Sequence, residues 1–370
     1  MEQTQGERVI VQRLADTSAA NGPLPPTTNE TRMTHAAHLK RPAVWSVILA
    51  FTCLYISWGT TYYAIRVGVE TLPPALFAGT RLALAGLVLL MFLAARGQRL
   101  WLPRRELVST AVVGVCMFVA GNGLITLAEK SETSIAAAVL VATTPIWFAL
   151  LEALWPWGER LTIRGWLGLG LGLTGVLVLL LPKMREANHF YVDAGPLLIL
   201  GSAISWAIGS CVLRHTKRHT TSHLLTAAYQ MVIGGGSLTL VGLLIGESGE
   251  LNAATFTAPA IGSFFYLLVV GSLVGYVSYN WLLGHVSGAL VGTYAYVNPM
   301  VAILVGWRLG KEELSPWIVG GMAIILAGVG LVRVGGVRPP RKTGAPPRSG
   351  EREPAIQPLE RQACELAREV

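Results

Sequence analysis

The feature that most constrains this chain is a run of apolar blocks, each near 20 residues long and each closed by a short polar break. A helix of about 20 residues crosses a hydrocarbon core about 30 Å thick. Blocks of this kind lie at roughly 44–66, 75–95, 106–128, 134–154, 164–182, 194–213, 223–245, 259–283, 287–308 and 315–335. Each is expected to be a helix, because an open strand leaves its backbone unsatisfied in lipid. Barrel strands would be shorter and would alternate in polarity. Charge agrees with this reading. Only 14% of residues are charged against 52% apolar, where a soluble domain carries about 25% charged residues to cover its surface. The expected class is an all-α integral membrane protein with the lipid bilayer as its first partner.

Two polar tails flank the blocks. Residues 1–43 and 336–370 are rich in Pro, Thr, Arg and Glu and are expected to be disordered. Met33 offers a second start, which would make residues 1–32 an overhang. No secretory h-region precedes the first span.

The net charge of +8 says less than its placement. Of the 29 Lys and Arg residues, 22 fall in segments that lie inside if both tails are inside, and 6 fall outside. The bias follows the positive-inside rule, so both termini are expected to be cytoplasmic. The cysteines, Cys53, Cys116, Cys211 and Cys364, have no metal-ligand or redox spacing. The only aspartates, Asp16 and Asp193, lie outside the spans. An intramembrane enzyme that needs paired aspartates is therefore disfavoured. No phosphate-binding Gly-rich loop with Lys occurs, so ATP hydrolysis is disfavoured too. The expectation is no enzyme activity, no cofactor, no metal and no nucleic-acid partner.

The two halves resemble each other. Ser57-Trp58 matches Ser205-Trp206 at a spacing of 148. Gly168 and Gly175 match Gly321 and Gly328 at 153, and Pro145 matches Pro299 at 154. Units of five helices must insert with opposite orientation, which is the architecture of many secondary transporters. The expected domains are two five-helix repeats, 44–182 and 194–335.

Intramembrane polar groups are costly and so are the first functional candidates. Arg81 is the one basic residue well inside a span; it would bind a substrate carboxylate, gate by pairing with a carboxylate elsewhere, or hold a structural position. Trp58 and Tyr62 share a helical face, Trp206 is the repeat partner of Trp58, Tyr276 and Tyr279 share a face in the eighth block, and Tyr294 sits in the ninth. Such rings suit amphipathic solutes. Asn122, Gln230 and Asn298 add neutral hydrogen-bonding groups, either to solute or between helices. Pro145 and Pro299 are candidate hinges. Glu152, read as the only acid within a span, is the candidate proton carrier or an interface residue. The Gly168, Gly172 and Gly175 face would pack inside the monomer or support a homodimer.

Several segments carry a family resemblance: Trp58-Gly59-Thr60-Thr61-Tyr62, Pro73-Pro74, Gly79-Thr80-Arg81, Gly121-Asn122-Gly123 and Tyr294-Ala295-Tyr296-Val297-Asn298-Pro299. In these the chain resembles EamA-type permeases of the drug/metabolite transporter superfamily, nearest the YedA-like branch, over about 44–335. Glu312-Glu313 departs from the single acid usual there. The resemblance implies ten transmembrane helices as two inverted five-helix repeats. It also implies a bacterial inner-membrane location and export of small metabolites or drugs. Facilitated import and a non-transporting receptor are the alternatives.

Overall fold

A computed structural model describes residues 43–156, 160–186, 194–216, 222–286, 291, 293–334 and 337–338. Both tails expected to be disordered lie outside these residues, apart from Ala43 and the pair 337–338. The long helices, in chain order, are α1 (Val44–Val69), α2 (Pro74–Ala95), α3 (Arg104–Ala128), α4 (Ser134–Leu154), α5 (Ile163–Glu186), α6 (Ala194–His215), α7 (His223–Leu244), α8 (Ala258–Leu282), α9 (Tyr294–Arg308) and α10 (Pro316–Arg333). Among the described residues, nine of these are long and apolar enough to cross a membrane. α9 is the exception at 15 residues, because the first part of the span expected over 287–308 includes residues outside the described set.

Local chemistry sets several boundaries. α2 starts at Pro74, where a missing N–H costs no intrahelical bond. The next two amides, of Ala75 and Leu76, donate to the Glu247 carboxylate at 3.1 and 2.8 Å. α2 ends before Gly97 (φ 69°) and α7 before Gly246 (φ 86°), left-handed positions that glycine takes without a Cβ penalty. These two glycines are 149 residues apart. Two helices contain π-helical stretches, Val115–Asn122 in α3 and Leu267–Tyr276 in α8, whose first residues are 152 apart. α4 is broken at Ala142 and Thr143, and Pro145 opens its second half. Pro299 instead lies inside α9. The two prolines expected to act alike thus sit in different local settings.

The packing is reciprocal. α1 lies against α8 and α9, while α6 lies against α3 and α4. α2 pairs with α7, and α5 with α10. The last two pairs approach closely because glycines line them. A Cβ on Gly328 would stand 2.6 Å from the Gly168 carbonyl oxygen, and one on Gly235 would stand 2.4 Å from the Ala83 nitrogen. The Gly168, Gly172 and Gly175 face is therefore filled from within the chain, by Gly321, Ile325 and Gly328 among others.

Loops following odd-numbered helices meet at one end of the bundle. Arg66 donates to the carbonyls of Glu129 and Glu132. Thr71 bonds the Thr255 carbonyl. Glu312 accepts from Ser134 N, Ser134 Oγ and Ile135 N at 3.0, 2.7 and 3.0 Å. At the other end Tyr229 donates to the Leu100 carbonyl, and Arg160–Leu161 pairs antiparallel with Val337–Arg338. This sorting is what helices that alternate in direction produce. The outer wall between the ends is apolar, with Met91, Leu167, Leu240, Phe265 and Leu304 exposed, as a lipid-facing surface requires.

Candidate functional site

A cavity of about 120 Å³ occupies the middle of the bundle. Its wall takes residues from α1–α4 and from α6–α9, while α5 and α10 contribute none. The glycine-packed α5–α10 pair is thus a peripheral strut.

The aromatic residues expected along a solute path come together here. Trp58 stands at the centre, with ring centroids 5.9 Å from Trp206, 5.1 Å from Tyr279 and 5.1 Å from Tyr294. Trp58 and Trp206, matched between the halves, meet edge to face across the cavity. Edge-to-face pairing sets the positive rim of one ring against the negative face of the other. Phe118 extends the cluster, 6.2 Å from Trp206 and 5.4 Å from Tyr276. Sequence reasoning missed Phe118, since a phenylalanine in an apolar block carries no local signal. Tyr62, Trp58, Trp206, Tyr276 and Tyr294 line the cavity. Tyr279 stands behind them, stacked on Tyr276 at 6.0 Å.

The polar residues form two related pairs. Arg81 Nη2 donates to Asn122 Oδ1 at 2.8 Å, joining α2 to α3. Tyr276 donates its hydroxyl to Gln230 Oε1 at 2.7 Å, joining α8 to α7. Arg81 Nη1 also reaches Ser272 Oγ at 3.4 Å. Arg81 is 3% exposed, and its Nε has no hydrogen-bond partner. Gln230 Nε2 and Asn298 Oδ1 are likewise buried and unpartnered. Arg81, Asn122 and Asn298 line the cavity; Gln230 stands behind Tyr276. Unsatisfied buried polar atoms are rare in native proteins and cost free energy until something pairs with them. Here Arg81 Nε and Asn298 Oδ1 belong to residues of the cavity wall, one a donor and one an acceptor.

Glu152 lies apart from the cavity. It is buried but pairs with His215 Nε2 at 3.0 Å and stands 3.8 Å from Arg214 Nη1. His215 in turn stacks on Trp155. A different acid is more exceptional. Glu129, one position past the third apolar block, is 0% exposed. Neither of its carboxylate oxygens has a hydrogen-bond partner. Burial pushes its carboxyl well above the usual carboxylate range; Glu312 adds to this, while the charge and the nearby backbone of Arg66 and the charge of Arg81 oppose it. A helical signal was present in the sequence. Glu129 follows Ile125 by four residues and Asn122 by seven, so as the C-terminal cap of α3 it continues the face that carries both.

The family model of EamA-like transporters matches the chain twice, over residues 45–181 and 193–334. The chain belongs to the EamA-like transporter family. It is thus a member of the drug/metabolite transporter superfamily, as the sequence resemblance implied. It is 37% identical over 293 residues to the inner membrane transporter YedA of Escherichia coli (strain K12), covering 77% of this chain and 90% of that one. It is 24% identical over 283 residues to the transporter YoaV of Bacillus subtilis (strain 168), covering 76% and 95%. It is 25% identical over 290 residues to a protein of Escherichia coli (strain K12) named "Probable amino-acid metabolite efflux pump", covering 76% and 93%. A crystal structure 19% identical in sequence has the same fold, with a TM-score of 0.56 over 79% of this chain and 97% of that one. Family and relatives point to a transporter and not to an enzyme.

Proposed function

We propose that this protein is a secondary transporter that moves small amphipathic solutes by alternating access, as an exporter in a bacterial inner membrane with both termini in the cytoplasm. The observation that carries the reading is the cavity at the seam between the halves, with Trp58 and Trp206 in contact inside it. Residues related by a two-fold axis touch each other only close to that axis. A solute held there would be gripped by both halves, so rocking one against the other would change the side to which it is open.

The architecture we infer is ten membrane helices in two inverted five-helix repeats, 44–182 and 194–335. Three features support it: the double family match, the reciprocal helix contacts and the paired π-helical stretches. Export is supported by the efflux-pump relative; facilitated import is the alternative. Trp58, Tyr62, Arg81, Asn122, Trp206, Tyr276, Tyr294 and Asn298 make the solute path in this reading, with Gln230 and Tyr279 backing Tyr276. The break before Pro145 and the helix around Pro299 are its hinges. Flux in proteoliposomes against a panel of amino acids, organic acids, amines and hydrophobic drugs, with and without a pH gradient, tests the reading. Saturable flux of at least one solute is expected, abolished in Arg81→Ala protein that remains folded. Absence of flux for every solute in both conditions would favour a receptor.

A further inference from the structure

The cavity holds one cation in its wall, and Glu129 places an acid one helical turn beyond the cavity residue Ile125. These two charges do not pair: no carboxylate stands within ion-pair distance of Arg81 among the described residues, and both oxygens of Glu129 lack a donor. Other acids near helix ends are committed. Glu247 caps α2, Glu312 caps α4 and Glu152 holds His215. Arg66 is beside Glu129 but spends its Nη1 on two backbone carbonyls.

The ionisable groups close enough for their charges to bear on Glu129 or on its neighbour Tyr62 can be named for each element. α1 brings Tyr62 and Arg66, and α2 brings Arg81. The turn before α10 brings Glu312, and α9 brings Tyr294 behind Tyr62. Glu132 is buried on the same loop, while Lys130 is exposed. A carboxyl buried without a hydrogen-bond donor favours its protonated form, because charge without solvent is the costly state. With Glu129 protonated, Arg81 has no anion to compensate it. With Glu129 ionised, the protein supplies that compensation itself.

We propose that Arg81 is a binding site for the carboxylate of an apolar or aromatic organic acid, and that Glu129 is a proton site occupied together with it. The ring cluster holds the apolar body of the acid, and Arg81 Nε supplies a free donor to the carboxylate. Above the pH at which free Glu129 titrates, a proton from water adds to a Glu129 oxygen as the anion settles on Arg81, and on release both leave; below that pH the carboxyl is already protonated and the anion binds alone. In the coupled range anion and proton form one neutral load, so an acid that accumulates inside drives its own exit without moving net charge. By linkage, each ligand strengthens the other's binding equally. The inference names a substrate class for the transport reading and rests on it.

The test is calorimetric titration of the purified full chain with phenylacetate, phenylacetamide and phenethylamine between pH 6 and 10, in buffers of different ionisation enthalpy. Expected is phenylacetate binding with uptake of one proton above the pH at which free Glu129 titrates. There the affinity falls about tenfold per pH unit. Phenethylamine is expected not to compete. Glu129→Gln protein is expected to bind phenylacetate without proton uptake and with no such slope. Arg81→Gln protein should lose preference for phenylacetate over phenylacetamide. No phenylacetate binding, binding without proton uptake across the range, or tighter binding of the amine would each overturn the proposal. The proton measurement needs no variant, so a misfolded mutant does not spoil it. If phenylacetate fails to bind while another solute shows flux, only this inference falls. If it binds with its proton but no solute shows flux, the transport reading falls.

Discussion

Glu312→Ala should destabilise the protein far more than the adjacent Glu313→Ala. Glu312 enters the bundle from the turn between α9 and α10, at a point where Lys311 takes a positive φ of 50°. Its carboxylate accepts three hydrogen bonds, from Ser134 N, Ser134 Oγ and Ile135 N, at 3.0, 2.7 and 3.0 Å. The donors belong to two fully buried residues at the start of α4. Amides at a helix start have no intrahelical acceptor, and a carboxylate there also meets the favourable end of the helix dipole. A hydrogen bond to a charged group contributes about 1.5–3 kcal/mol. The bonds are not additive, and Glu312 is only half-buried, so water replaces part of the loss. A net cost of about 2–4 kcal/mol follows. Glu313 is exposed, and its loss should cost less than about 0.5 kcal/mol. Thermal unfolding in detergent, followed by circular dichroism, separates the two. Glu312→Ala should lower the midpoint by several degrees and Glu313→Ala by almost nothing. Equal shifts, or no shift for Glu312→Ala, would refute the argument that this carboxylate holds α4.

Gly328→Val should prevent stable assembly of α5 against α10, because its Cβ would stand 2.6 Å from backbone atoms of Gly168 and Gly172; a cost of about 3 kcal/mol or more is expected from overpacking. Gly330→Ala, with nothing within 4 Å of the new Cβ, should leave the unfolding midpoint unchanged or slightly higher. Trp58→Ala breaks three ring contacts at the cavity and should weaken solute binding about 10- to 100-fold, read by tryptophan fluorescence or calorimetry. Orientation is testable in intact cells with an impermeant thiol reagent. A cysteine at Glu250 should be labelled directly, and one at Arg99 only after permeabilisation; the reverse pattern would invert the assigned topology.

Much of the site was legible because its residues break a local rule. Arg81 stood out as a charge inside an apolar block, and Trp58 and Trp206 stood out as matched aromatics. Their convergence needed only helical periodicity and a repeat. Phe118 broke no rule and stayed invisible. Glu129 was hidden for a different reason: it lies one residue past the apolar block, where an acid ordinarily faces water. Arg66 of α1 binds its backbone carbonyl, and contacts between distant segments leave no trace in a local pattern. Pro145 and Pro299 looked equivalent for the same reason. Their spacing matches, yet one opens a half-helix after a break and the other lies within a helix. The glycine faces could be read either as internal packing or as a dimer interface, and only the opposing helix decides which. Here α10 fills the face of α5.

The central claim is that one cavity, shared by two halves, is exposed to each side of the membrane in turn. Solute counterflow in proteoliposomes tests this most directly. Vesicles loaded with a transported solute should draw in a labelled trace of it transiently above its external concentration. Arg81→Gln protein of normal thermal stability should fail to do so. Uptake that is linear in concentration and unaffected by internal solute would indicate a pore or a leak, and would contradict the account.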